Sequence, residues 1–134
     1  MGIDNAKAII RAAKKGDAET VRRLLNDDPS LVAARDKDGS TPLHCAAWNG
    51  REAVAAILLD AGADINDHNQ NGHWGTTPLH AAAHGNQKQV AALLIARGAD
   101  LQARNLNGRT PLEETGAHNA RAVARLLTEA APRS

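Results

Sequence analysis

The sequence predicts an all-α repeat solenoid made of stacked helix-turn-helix units. Thr-Pro-Leu-His occupies residues 41–44 and 77–80, and Thr-Pro-Leu returns at 110–112. The last two copies lie 33 positions apart, and the first two lie 36 apart, which is the same period plus a three-residue insertion. A second series, Gly-Ala-Asp, occupies 62–64 and 98–100. A fixed recurrence of 20–50 residues is typical of proteins that stack one small unit.

The Thr-Pro pairs predict where the first helix of each repeat begins. A threonine side chain accepts a hydrogen bond from a free N–H at a helix start, and proline at the first helical position has no N–H to leave unpaired. We therefore expect helices to begin near Pro42, Pro78 and Pro111. Gly50 is expected to end the first of these helices in a left-handed conformation. Asn86 and Asn119 occupy the matching positions, and asparagine also tolerates that conformation.

Apolar stripes predict the second helix of each repeat, because they follow the i, i+3, i+4 spacing of one helix face. The stripes are Val54, Ile57 and Leu58, then Val90, Leu93 and Leu94, then Val123, Leu126 and Leu127. Gly62 and Gly98 are expected to end two of these helices. The polar segments that follow contain turn residues, so we expect them to leave the helical layers.

The two ends of the chain carry degenerate copies. Residues 4–15 and 18–25 predict a helix pair without the Thr-Pro-Leu-His segment, and Pro29 blocks a helix in the connection that follows. Near the other end, Thr115-Gly116 replaces an Ala-Ala pair. Terminal repeats are expected to differ because one of their faces meets solvent. We predict a single domain over 1–134, with four repeats at about 4–35, 36–68, 69–104 and 105–134.

The combined pattern of Thr-Pro-Leu-His, Ala-Ala, Leu-Leu and Gly-Ala-Asp resembles the ankyrin repeat, and the resemblance covers nearly the whole chain. It implies that the polar segments form short β-hairpin-like fingers at right angles to the helices. It also implies that His44 and His80 are structural and form hydrogen bonds between repeats. The function it implies is binding to another protein through the concave surface made by the fingers and the first helices.

Composition and charge narrow the classes of function. The net charge is only +1, so the sequence does not favour nucleic acid or an anionic membrane as a partner. The single cysteine, Cys45, excludes an intrachain disulfide and is typical of a reducing compartment. No apolar stretch approaches the length of a membrane span. We expect a cytoplasmic protein, monomeric in preference to oligomeric, with no cofactor.

Three local patterns raise the alternative of an enzyme or a metal protein. His80 and His84 have the spacing of metal ligands on one helix, and His73 lies nearby, but no cysteine or carboxylate completes a recognised zinc pattern. His44 and Cys45 are helix neighbours that point about 100° apart, which does not suit a base and its nucleophile. One or both of the adjacent carboxylates at 113–114 are explained by a helix start. We therefore predict that the protein is not an enzyme and holds no metal ion. A metal-binding or catalytic protein that uses His73, His80 and His84 is the less favoured alternative.

The resemblance also implies which positions meet a partner. They lie at the finger tips and on the exposed side of each first helix. The finger positions are Lys37, Asp38, Ser40, Gln70, Asn71, His73, Trp74, Leu106, Asn107 and Arg109. The helix positions are Cys45, Trp48, Asn49, Ala81, His84, Glu114 and His118.

Both tryptophans, Trp48 and Trp74, fall in this set, in a chain without Phe or Tyr. Tryptophan is enriched among residues that dominate binding energy, so we interpret the pair as a binding patch. Leu106 would extend the patch, and polar residues would form its rim. The alternative is that each ring folds back on its neighbours. A further alternative function is an engineered scaffold made to bind a chosen target, although the irregular copies favour a natural sequence.

Overall fold

The computed structural model describes residues 2–70, 75–117 and 120–130, except the side chains of 2–4 and 117. Those residues form helices and turns, with no strand among them. The helices are α1 (Gly2–Lys15), α2 (Ala18–Asp27), α3 (Pro42–Asn49), α4 (Glu52–Asp60), α5 (Pro78–His84), α6 (Lys88–Ala96), α7 (Pro111–Ala117) and α8 (Arg121–Ala130). A 3₁₀ turn at Pro29–Ala33 contains the proline that was expected to block a helix.

The helices form two layers. The inner layer is α1, α3, α5 and α7, each packed on the next, and the outer layer is α2, α4, α6 and α8. The Ala-Ala pairs at 46–47 and 82–83 are fully buried, so the inner helices approach closely without bulky side chains. Leu58 and Leu94 of the outer layer are also fully buried. This arrangement confirms the all-α repeat solenoid.

The Thr-Pro pairs start helices as expected, and each threonine is part of a reciprocal capping pair. The Thr41 hydroxyl accepts from the His44 N–H at 3.4 Å, and His44 Nδ1 accepts from the Thr41 N–H at 3.2 Å. Thr77 and His80 repeat these contacts. In the last copy Glu113 replaces histidine, and its Oε1 accepts from the Thr110 N–H at 3.0 Å. The substitution therefore preserves the cap, which is more specific than the expected interaction with the helix dipole.

The turns that end the first helices have left-handed backbones. Gly50 has φ 72° and Asn86 has φ 53°, as expected, while Asn119 lies outside the described residues. A Cβ at Gly50 would contact only the end of the Gln87 side chain, which is able to move. Glycine is therefore favoured at this position mainly by the left-handed backbone conformation.

Both described finger tips are closed by the side chain of their first residue. Asp36 Oδ1 accepts from two backbone N–H groups, those of Asp38 and Ser40, each at 2.9 Å. In the third finger Asn105 Oδ1 accepts from the N–H groups of Asn107 and Arg109 at 3.0 Å. These two fingers are thus tight hydrogen-bonded turns. The first finger is joined to the second by the Gln70 N–H, which donates to the Gly39 carbonyl at 3.0 Å.

His44 and His80 connect neighbouring repeats, as the resemblance implied. His44 Nε2 lies 2.8 Å from the Asp67 carbonyl and 2.9 Å from the Thr76 carbonyl. Since carbonyls only accept and the N–H facing Nδ1 only donates, the ring is neutral with its proton on Nε2. His80 donates in the same way to the Arg109 carbonyl at 2.8 Å. Burial lowers the pKa of both imidazoles, against the opposing effect of these carbonyls.

Candidate functional site

A groove of about 500 Å³ runs along the inner helices and the first two fingers. We call it the inner groove. Its lining residues are Lys14, Asp36, Asp38, Ser40, His44, Cys45, Trp48, Asn49, Asn69, Thr76, His80, Ala81, His84 and Glu114. Eight of them belong to the predicted partner-binding set, which places predicted residues from α3, α5, α7 and the first finger around one space.

Trp48 and His84 form an aromatic pair in this groove. Trp48 lies near the end of α3 and His84 ends α5, and their ring centroids are 4.2 Å apart with 25° between the planes. The stack matches the alternative in which Trp48 packs on a neighbour, yet 47% of its surface remains exposed. The Gln87 amide also donates to the Trp48 carbonyl at 3.0 Å, which holds this end of α3 against the next repeat.

Three predicted helix positions, Cys45, Ala81 and Glu114, are buried and form the floor of the inner groove. Burial, assisted by the nearby Asp36 carboxylate, raises the pKa of the Cys45 thiol to about 11. The thiol is therefore protonated at neutral pH and is a poor nucleophile. These three residues shape the groove, but little of their own side-chain surface is exposed to a partner.

Glu114 is a buried carboxylate with partners inside the protein. The Asn105 amide donates to Glu114 Oε1 at 2.9 Å, and Arg109 Nη1 lies 3.8 Å from the same oxygen. Asn105 was absent from the predicted site, although Asp36, Asn69 and Asn105 recur at the start of each finger. That recurrence is the sequence signal for a residue that closes a finger and supports the groove floor.

The predicted finger residues spread over more than one surface. Asp38 and Ser40 line the inner groove, whereas Gln70, Leu106, Asn107 and Arg109 do not. Leu106 is 62% exposed, and its Cγ packs so closely on Gly75 that a Cβ there would lie 2.7 Å away. Four predicted residues lie outside the described part of the chain: Asn71, His73, Trp74 and His118.

A second groove of about 590 Å³ adjoins the first. We call it the N-terminal groove. It is lined by Ala6, Lys7, Ile10, Arg11, Lys14, Arg35, Asp36, Lys37 and Asp38. Of these, only Lys37 and Asp38 were predicted. The signal for the others was available, because Lys7, Arg11 and Lys14 follow helical spacing on one side of α1.

His80 and His84 do not present two open ligand atoms. Both His80 nitrogens have backbone partners, the Thr77 N–H and the Arg109 carbonyl, and the ring is fully buried. Within ranges 2–70, 75–117 and 120–130 there is no group of three or more His, Cys, Asp or Glu residues placed to hold a metal. His73 of the suggested cluster lies outside these ranges. No helix in the same ranges is long and apolar enough to cross a membrane.

A family model described as ankyrin repeats (3 copies) matches residues 2–69 and again residues 66–133. The serine/threonine-protein kinase VIK of Arabidopsis thaliana is 45% identical over 64 residues, 48% of this chain and 15% of the kinase. Ankyrin repeat domain-containing protein 49 of Homo sapiens is 40% identical over 63 residues, 47% of this chain and 26% of that protein. The 2-5A-dependent ribonuclease of Mus musculus is 36% identical over 70 residues, 52% of this chain and 10% of the enzyme. The similarity thus spans 26% or less of the length of each of these relatives.

Proposed function

Since the chain belongs to the ankyrin-repeat family, we propose that it is a protein-interaction module whose partner binds along the inner groove. Ankyrin repeats generally bind other proteins, which supports the class of function. The observation that carries the proposal is Trp48, a large aromatic side chain left 47% exposed at a groove in a molecule without Phe or Tyr. A partner side chain that covered this indole would remove a large apolar surface from water.

The inner groove combines features that are typical of a recognition surface. Its floor includes Cys45 and Ala81, which are buried in the packed inner helices. Its wall carries the Trp48–His84 pair, and the fingers supply Asp38 and Ser40 as polar groups near the rim. An apolar centre beside polar groups is typical of protein interfaces.

We propose that the module binds without catalysing a reaction. The Cys45 thiol is held in its protonated form, and both ring nitrogens of His44 and His80 are engaged by the backbone. The Glu114 carboxylate accepts a hydrogen bond from the Asn105 amide. The kinase and ribonuclease activities in the relatives' names belong to much longer proteins, so they do not transfer to this chain.

We also propose that the module is a monomer of the cytoplasm. The free, buried Cys45 supports a reducing compartment, where a lone thiol persists. Sedimentation velocity at increasing concentration tests the first statement, and microscopy of a fluorescent fusion in the source cells tests the second. A concentration-dependent rise in the sedimentation coefficient would contradict the monomer.

Affinity capture from the source-cell lysate, followed by reconstitution with the purified candidate, tests the interaction. The baits are the wild type, Trp48→Ala, the double variant Trp48→Ala/Trp74→Ala and a control, Arg22→Gln. The control changes an exposed residue of the outer helix α2. We expect a partner that binds the wild type and the control directly and is lost with Trp48→Ala. A purified partner that bound all four baits equally would move the interface away from the inner groove.

A further inference from the structure

We infer that the two adjoining grooves bind one extended peptide segment with charges of opposite sign: carboxylates against α1 and an arginine or lysine side chain beside Trp48. This inference rests on the proposed function and specifies the chemistry of the partner. The grooves are continuous, since Lys14, Asp36 and Asp38 line both of them. A single segment that crosses the inner helices would therefore meet both charge environments.

The N-terminal groove is cationic. Lys7, Arg11 and Lys14 are exposed along one side of α1, and Lys37 is exposed on the first finger. None of these four forms an ion pair within the described chain. Arg35, by contrast, is already paired with Asp67 at 2.7 Å and belongs to the structure of the finger. Four cations around one groove, without ion-pair partners among the described residues, favour an acidic stretch of the partner.

The inner groove has the opposite character. Glu114 is already paired with Arg109 at 3.8 Å, so the negative charge of this groove comes from Asp36 and Asp38. Among the described lining residues Lys14 is the one lysine or arginine, and it stands at the boundary with the other groove. The Asp38 carboxylate is exposed and has no hydrogen-bond or ion-pair partner in the described residues. A cation near the Trp48 indole would gain both its attraction to the aromatic ring and that of Asp38.

The mixed charges favour a peptide over a polyanion. A nucleic-acid backbone laid along Lys7, Arg11 and Lys14 would meet the carboxylates of Asp36 and Asp38 in the same groove. The net charge of +1 gives no long-range attraction for such a ligand. Packed helices lie about 8–10 Å apart, and an extended chain advances about 3.3 Å per residue. The acidic and basic side chains of the partner should therefore be separated by roughly three to six residues.

Selection from a displayed library of random nine-residue peptides, on the full chain at low salt, tests the inference. We expect enriched peptides to contain an arginine or lysine and an aspartate or glutamate at about this separation. Their binding should weaken as salt is raised, because exposed charges are screened. Enriched peptides that lack a cation would overturn the inference.

Fluorescence anisotropy with one enriched, labelled peptide then assigns the charges to the grooves. We expect Lys7→Gln/Arg11→Gln and Asp38→Asn each to weaken binding about two- to fivefold, and Trp48→Ala to weaken it at least about fivefold. The controls are Glu19→Gln and Arg22→Gln, matched changes of exposed charges on α2, with no expected effect. Equal binding by wild type and all groove variants would contradict both this inference and the proposed surface.

A change in the peptide separates the two proposals. Replacing its arginine by citrulline keeps the shape and removes the charge. We expect this change to weaken binding to the wild type and to have a smaller effect on Trp48→Ala, since part of the interaction is then already lost. Binding that depends on Trp48 but is unchanged by citrulline would refute the cation site and leave the protein-interaction function standing. Absence of any enriched peptide would count against both.

Discussion

The Trp48 indole and the His84 imidazole stack at a centroid distance of 4.2 Å, although 36 positions separate them in the sequence. That separation is one repeat including the insertion, so the rings occupy equivalent positions in consecutive units. The stack therefore joins two inner helices at the surface, outside the alanine-rich core. The stack also supports one face of the indole that the proposed partner would contact.

We predict that His84→Ala lowers the free energy of unfolding by about 0.5–1.5 kcal/mol, the range measured for aromatic pairs. The loss should be smaller in the Trp48→Ala background, where the pair no longer exists. Urea unfolding of the four proteins of this double-mutant cycle measures the coupling. Strictly additive effects would show that the stack contributes nothing to stability.

Stability should fall as pH is lowered below the ordinary histidine pKa of about 6.5. Burial lowers the pKa of His80 in the folded protein, so the unfolded chain binds protons first. The stabilisation is complete above pH 6.5 and is lost as pH falls towards the folded-state pKa. Urea unfolding at pH 7.5, 6 and 5 should show a shallower decline for His80→Gln than for the wild type. Parallel pH profiles would contradict this assignment.

The Thr110 cap gives a third prediction. The Thr110 hydroxyl accepts from the Glu113 N–H at 3.3 Å and starts α7. Thr110→Ala should lower the free energy of unfolding by about 1 kcal/mol, whereas Thr110→Ser keeps the hydroxyl and should lose less. Thermal or urea unfolding compares the two variants. Equal losses would mean that the methyl group, and not the cap, is the important part of this side chain.

Removal of residues 103–134 should destroy cooperative folding of the remaining chain. Helix α8 packs on α6, where Val90 and Leu94 are fully buried. Deletion exposes this apolar face, and a repeat array depends on contacts between neighbours. Circular dichroism and size-exclusion chromatography should show a non-cooperative, aggregating 1–102 fragment. A soluble fragment with a sharp melting transition would argue against the layered arrangement.

Local signals made most of the fold predictable from the sequence. Thr41-Pro42 starts a helix through contacts within four residues, and Gly50 ends it through a backbone conformation that few residues adopt. The outer helices follow a simple apolar period whose central residues, Val54 and Leu58, are buried as that period requires. Because these features recur with a fixed period, aligned copies of the repeat give the order in which the helices stack.

The site was less predictable because it depends on distances between repeats. Sequence position alone does not separate Trp48, half exposed, from Cys45, buried on the same helix. That difference depends on how closely the neighbouring helix and finger approach. The buried Glu114–Asn105 pair likewise depends on a contact between α7 and the third finger. The cations on α1 line a groove only because the first finger lies beside them.

The contacts of His44 have a consequence for how this chain tolerates change in length. Its Nε2–H reaches the carbonyls of Asp67 and Thr76, and the three-residue insertion falls between these two anchors. The His44 imidazole is thus hydrogen-bonded to both ends of the segment that carries the insertion. Beyond that segment, Thr77 and His80 repeat the capping contacts of Thr41 and His44, so the three added residues leave the start of α5 unchanged and the insertion is insulated from the stacked helices.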